Sequence, residues 1–72
     1  MARVIVYSRQ GCHLCEEALA VVSAVCEEWT VVDIDADEAL RARYSDDVPV
    51  VTVDGRVIAR WFVEEETLRR AL

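Results

Sequence analysis

Cys12-His13-Leu14-Cys15 lies between a β-branched run, Val4-Ile5-Val6-Tyr7, and a segment with helical apolar spacing. That context constrains the fold more than any other feature of the chain. The first run reads as a buried strand ending in the loop Ser8-Arg9-Gln10-Gly11. Leu14, Ala18, Val21, Val22 and Val25 then recur at i, i+4, i+7, i+8 and i+11, one apolar face of a helix placed at about residues 12–28. Glu16 and Glu17 fall near its positive end. Two thiols at i and i+3 share a helix face with Cβ atoms roughly 5–6 Å apart, and modest adjustment brings that separation to disulfide geometry. The pattern points to a redox pair.

The two thiols are not equivalent. Cys12 sits at the helix N-terminus, where unpaired backbone N–H groups and the helix dipole favour a thiolate, whereas Cys15 lies one turn in, beside the apolar stripe. Cys12 is therefore expected to be the nucleophile and Cys15 the resolving thiol. His13 has a tuning role open to it, because a protonated imidazole beside Cys12 would lower the thiol pKa and make the disulfide more oxidising. Cys26, near the far end of the helix, reads as a small buried hydrophobe.

Further along, Thr30 through Asp35 reads as a second strand, and Asp37 caps a short helix through about Tyr44. Pro49 ends the next loop, Val50-Val51-Thr52-Val53 is a strand, and Asp54-Gly55 is a two-residue hairpin signal leading into Arg56 through Trp61. Glu64 to Leu72 closes the chain as a helix, with acids at its start and arginines near its end. Trp29, Tyr44, Trp61 and Phe62 are expected in the core or flanking the hairpin. The order is β-α-β-α-β-β-α: an α/β domain over residues 1–72, with a mixed four-stranded sheet and helices on both faces.

With this order in place the chain resembles the thioredoxin-fold family, and most closely its small glutaredoxin-like members. Tyr7-Ser8-Arg9-Gln10-Gly11-Cys12-His13-Leu14-Cys15 is similar to the family's strand, loop and redox motif, and Asp47-Val48-Pro49-Val50 to the loop bearing its cis-proline. The resemblance implies a thiol–disulfide oxidoreductase that needs no metal or organic cofactor. It also implies that the Val48-Pro49 bond is cis, that Val48 offers backbone groups to an extended substrate, and that Pro49 shapes a groove beside Cys12. The implied partners are disulfide-containing proteins or small thiols, with a reductase or glutathione as electron donor. Arg9 matches the basic residue that glutathione-binding members carry before the motif. Arg60-Trp61-Phe62 stands where those members carry small residues, which counts against a tripeptide site.

Composition narrows the alternatives. A net charge of -6, with eight arginines scattered among fourteen acids, opposes binding to nucleic acid. No run approaches the length of a membrane span, and Met1-Ala2-Arg3-Val4 lacks an apolar leader. Three cysteines suit a reducing compartment with one dithiol and one spare thiol, so a cytoplasmic location is expected. A monomer is the expected state. A zinc site within the chain needs four ligands, and Cys26 lies roughly 16 Å beyond Cys15 along one helix at about 1.5 Å per residue. The rival reading is a binding module of the same fold, holding an iron–sulfur cluster or metal in a dimer or serving only for docking.

Overall fold

A computed structural model describes residues 2–72. The β-branched runs become strands β1 (Val4–Ser8), β2 (Thr30–Asp33), β3 (Val50–Val53) and β4 (Arg56–Arg60). The helices are α1 (His13–Val25), α2 (Glu38–Tyr44) and α3 (Glu65–Ala71). The sheet order is β2-β1-β3-β4, with β1 parallel to β2, antiparallel to β3, and β3 antiparallel to β4. This is the mixed four-stranded α/β arrangement that the element order predicts.

The period-2 pattern of the central strands sorts the core into two layers. Val4 and Val6 of β1 stand opposite Val53 and Val51 of β3, on the face covered by α1 and α3 through Val22 and Leu68. On the other face Tyr7 and Val50 are neighbours, and they pack with Ile34 and Tyr44 beneath α2. The Tyr7 and Tyr44 ring centroids are 4.9 Å apart. All of β3 is buried, as a central strand covered on both faces must be. Each fully buried Val, Leu or Ile of this kind contributes about 1.5–3 kcal/mol over its exposed state.

Three element ends differ from the sequence expectation, each for a local reason. Helix α1 stops at Val25 because Cys26 turns extended, its N–H donating to the Val22 carbonyl at 2.8 Å. Continuing it would set Glu27 and Glu28 against the negative end of the dipole. Strand β2 ends at Asp33, whose side chain accepts from the Asp35 N–H and starts a turn of 3-10 helix over Ile34–Ala36. That turn drives Ile34 into the second core layer. Strand β4 ends at Arg60 because Trp61 adopts a left-handed backbone with φ 63°.

Two local expectations hold to the atom. Asp37 caps α2, its Oδ1 accepting from the Ala39 and Leu40 N–H groups at 2.8 and 3.2 Å. Asp54 and Gly55 both take positive φ, 52° and 85°, as a two-residue hairpin turn requires. Of the four aromatics expected in the core or beside the hairpin, only Tyr44 is buried; Trp61 and Phe62 are 46% and 73% exposed. Among the described residues no helix is long and apolar enough to cross a membrane.

One buried polar atom stands out in this apolar frame: the Thr52 hydroxyl has no hydrogen-bond partner, in a side chain of β3 that is almost wholly buried. A buried hydroxyl without a partner costs about 1–3 kcal/mol, and valine has nearly the same shape. Thr52→Val is expected to stabilise the fold by about 1 kcal/mol, seen as a higher urea midpoint at unchanged slope; a lower midpoint would show that the hydroxyl is satisfied in solution.

Candidate functional site

The register of the sheet gathers the chemistry at one end. Strand β1 runs out at Ser8, and the loop Arg9-Gln10-Gly11, with Gly11 at φ 73°, turns the chain into α1. Cys12 is the N-cap of that helix and Cys15 lies in its first turn. Cys12 and Cys15 are joined as a disulfide with Cα atoms 5.2 Å apart. The Cys15 N–H donates to the Cys12 sulfur at 3.1 Å, the position a capping oxygen occupies in an ordinary helix. Cys12 is half-buried while Cys15 is only 2% exposed. His13 is exposed, with Nδ1 3.7 Å from the Glu16 carboxylate on the next turn.

Because Tyr7 pairs with Val50, Pro49 falls beside Ser8, at the end of the sheet from which the loop leads to Cys12. The Val48-Pro49 bond is cis. Pro49 is buried and its carbonyl accepts from the Trp61 N–H at 2.9 Å, while Val48 packs half-buried against the Ile34, Tyr44 and Val50 layer. Arg9, singled out as a ligand-binding cation, is engaged within the fold. Its Nε and Nη2 donate to the two oxygens of Asp35 at 3.1 and 2.7 Å, and Nη1 donates to the Ser45 carbonyl at 2.8 Å. Three of the guanidinium's five N–H groups are thus in use. The Arg9 hydrogen bonds hold the Asp35 carboxyl below the usual carboxylate range.

Cys26 lies at the opposite end of α1, half-buried, and burial pushes its thiol up. The structure therefore brings together Cys12, Cys15, Val48, Pro49, Arg9 and His13 at one pole and leaves Cys26 at the other. Three residues there carry no site signal in the sequence. Asp35, the acid that holds Arg9, has the pattern of a strand end. Trp61 and Phe62 have the pattern of packing residues, although two adjacent aromatics leaving a strand cannot both face one side of a sheet.

A mixed sheet with a Cys-x-x-Cys pair capping its first helix and a cis-proline across the strand end defines a thioredoxin-fold protein of the glutaredoxin-like kind. The chain belongs to the glutaredoxin-like domain family (DUF836), which matches residues 3–72. A glutaredoxin-like protein of Dictyostelium discoideum is 31% identical over 72 residues, spanning 86% of this chain and 67% of the relative. An uncharacterized protein of Mycobacterium tuberculosis is 33% identical over 76 residues, spanning 93% of this chain and 78% of the relative. Among solved structures, the X. campestris protein XcR50 superposes with a TM-score of 0.82 at 32% identity, over 93% of this chain and 91% of its own. The glutaredoxin of Archaeoglobus fulgidus shares the fold at a TM-score of 0.70 and 22% identity, over 99% of this chain and 86% of its own. Fold and bonded cysteine pair together support a thiol–disulfide redox role.

The Arg9–Asp35 contact makes a pH prediction with a definite sign. A carboxyl whose folded pKa is depressed adds stability that is complete above its unfolded pKa and fades as pH falls through the lower, folded value. Arg9→Gln is expected to return the Asp35 titration to the ordinary carboxylate range, read from its side-chain carbon shift by NMR. An unmoved Asp35 midpoint would show that the pair does not form in solution.

Proposed function

We propose that the protein is a thiol–disulfide oxidoreductase that acts as a monomer in a reducing, cytoplasmic compartment. The observation that carries this reading is the asymmetry of the pair: Cys12 is a half-exposed N-cap whose sulfur receives a backbone N–H, and Cys15 is buried behind it. A thiolate at Cys12 gains both that hydrogen bond and the positive end of the helix dipole.

The exchange balances as follows. The Cys12 thiolate attacks one sulfur of a substrate disulfide, the substrate S–S bond breaks, and the departing thiolate takes up a proton. A mixed disulfide joins Cys12 to the remaining substrate sulfur. Cys15 gives up its proton and attacks the Cys12 sulfur, expelling the second substrate thiolate and leaving the Cys12–Cys15 disulfide. Two electrons pass from the dithiol to the substrate, and an external dithiol donor returns them. The Cys15 N–H keeps its contact with the Cys12 sulfur at the closed end of this cycle. The cis Val48-Pro49 segment beside Ser8 supports a role for Val48 and Pro49 in flanking an extended substrate, and the position of His13 next to Cys12 in the chain supports a tuning role.

The acidic surface, the engaged Arg9 and the bulk of Trp61 and Phe62 favour a dithiol reductase over glutathione as donor. A tripeptide carrying net negative charge meets long-range repulsion here.

In the reduced protein, brief iodoacetamide treatment and peptide mapping should label Cys12 first, at a pKa below the free value of about 8.5. First labelling at Cys15 or Cys26 would reverse the roles. Cys12→Ser should abolish insulin reduction, Cys15→Ser should accumulate the mixed disulfide, and Cys26→Ser should cycle as wild type. Turnover with thioredoxin reductase should exceed turnover with millimolar glutathione plus glutathione reductase by about an order of magnitude, the scale of a lost anionic binding site. Equal rates would return glutathione as the donor.

A further inference from the structure

Beside the cysteine pair an open groove runs between the first half of α1 and the link from β4 to α3. Its apolar wall is Leu14, Ala18, Val21, Trp61, Phe62 and Val63, and its rims are Glu17 and Glu64. Leu14 sits between the two cysteines, so the groove starts at the motif itself. Phe62, 73% exposed, is the most exposed large hydrophobic residue described, and Trp61 beside it is 46% exposed.

Trp61 is anchored by two hydrogen bonds. Its indole N–H donates to the Asp46 carbonyl and its backbone N–H to the Pro49 carbonyl, both at 2.9 Å. Its φ of 63° lies in the left-handed region, where glycine is relaxed and a bulky residue is strained. An aromatic pair presented in this way, open and lining one groove with Leu14 of the cysteine motif, has the composition of a binding anchor. Charge decides what it anchors. Glu65 and Glu66 are neutralised by Arg69 and Arg70, and Glu16 approaches His13. Among the described residues Glu17 and Glu64 have no ion-pair partner. The rims are therefore uncompensated acids around an apolar floor.

We propose that this groove seats the segment flanking the disulfide of a protein substrate, one that carries an aromatic side chain next to a lysine or arginine. The aromatic packs on Phe62 and Trp61, and the cation lies between Glu17 and Glu64. The assignment of the occupant as a disulfide substrate rests on the oxidoreductase reading above.

The test uses three fluorescein-labelled peptides in which serine stands for the substrate cysteine, so that binding is read without chemistry. Their flanks are Lys-Phe, Lys-Ser and Glu-Phe. By anisotropy the Lys-Phe peptide should bind about tenfold more tightly than Lys-Ser, the scale of one aromatic anchor, and about fivefold more tightly than Glu-Phe, the scale of two exposed charge contacts. Phe62→Ala should erase the first preference. The double variant Glu17→Lys, Glu64→Lys should reverse the second. All three positions are exposed, and circular dichroism checks that each variant folds. Equal affinities for the three peptides, or an order unchanged in either variant, overturns the groove. Separately, reduced wild-type protein is mixed with hydroxyethyl disulfide: failure to release thiol while the peptide order holds overturns the oxidoreductase reading and the disulfide nature of the occupant, and leaves the groove as a docking site only.

Discussion

The antiparallel pairing of β1 with β3 is the contact on which the rest of the molecule depends. Both strands face core on either side, Val4, Val6, Val51 and Val53 toward α1 and α3, and Tyr7 and Val50 toward α2. A slip of one residue would turn each set onto the wrong layer, so the register is strongly specified. The same register sets Pro49 next to Ser8 and Arg60 opposite Val50. Loop, proline and the aromatic link after β4 therefore converge on one pole because the hydrophobic layers allow one alignment. The far pole is closed by the hairpin, where Asp54 exchanges hydrogen bonds with the Arg3 backbone at 2.8 and 2.9 Å.

Competing electrostatic terms meet at Cys12. A hydrogen bond from a backbone N–H to a charged acceptor contributes about 1.5–3 kcal/mol, and the helix terminus adds about 0.3–1 kcal/mol. Against these stand the exposed carboxylates Glu16 and Glu17. A unit charge 4 Å away in water is worth only about 1 kcal/mol, and it is screened further by salt. On these scales the local backbone would outweigh the acidic surface for a thiolate formed at Cys12, while the acidic surface dominates over longer distances.

Arg9 illustrates how a residue's type can be legible while its task is not. Its position three residues before Cys12 suits a ligand-binding cation, yet its partners are Asp35 and the Ser45 carbonyl. That clamp ties the loop before Cys12 to the start and end of the α2 region. The cation thereby contributes to positioning the loop, and the surface around the pair is left to acids and aromatics.

What the sequence determined by itself was what depends on neighbours within a turn. The Asp37 cap, the Asp54-Gly55 hairpin, the Cys12–Cys15 pairing and the alternation of β1 each follow from residues no more than a few positions apart, so local stereochemistry sufficed. The strand and helix order followed from the same signals, and with it the mixed sheet. What only the tertiary structure decided was set by contacts far apart in sequence. Arg9 found Asp35 26 residues away, and Trp61 was drawn out of its strand by Asp46 and Pro49. β2 was cut short where its partner β1 ended. Phe62 lies beyond the end of β4 and is left in solvent. A side chain's burial depends on which distant surfaces reach it first, and pattern along the chain does not encode that.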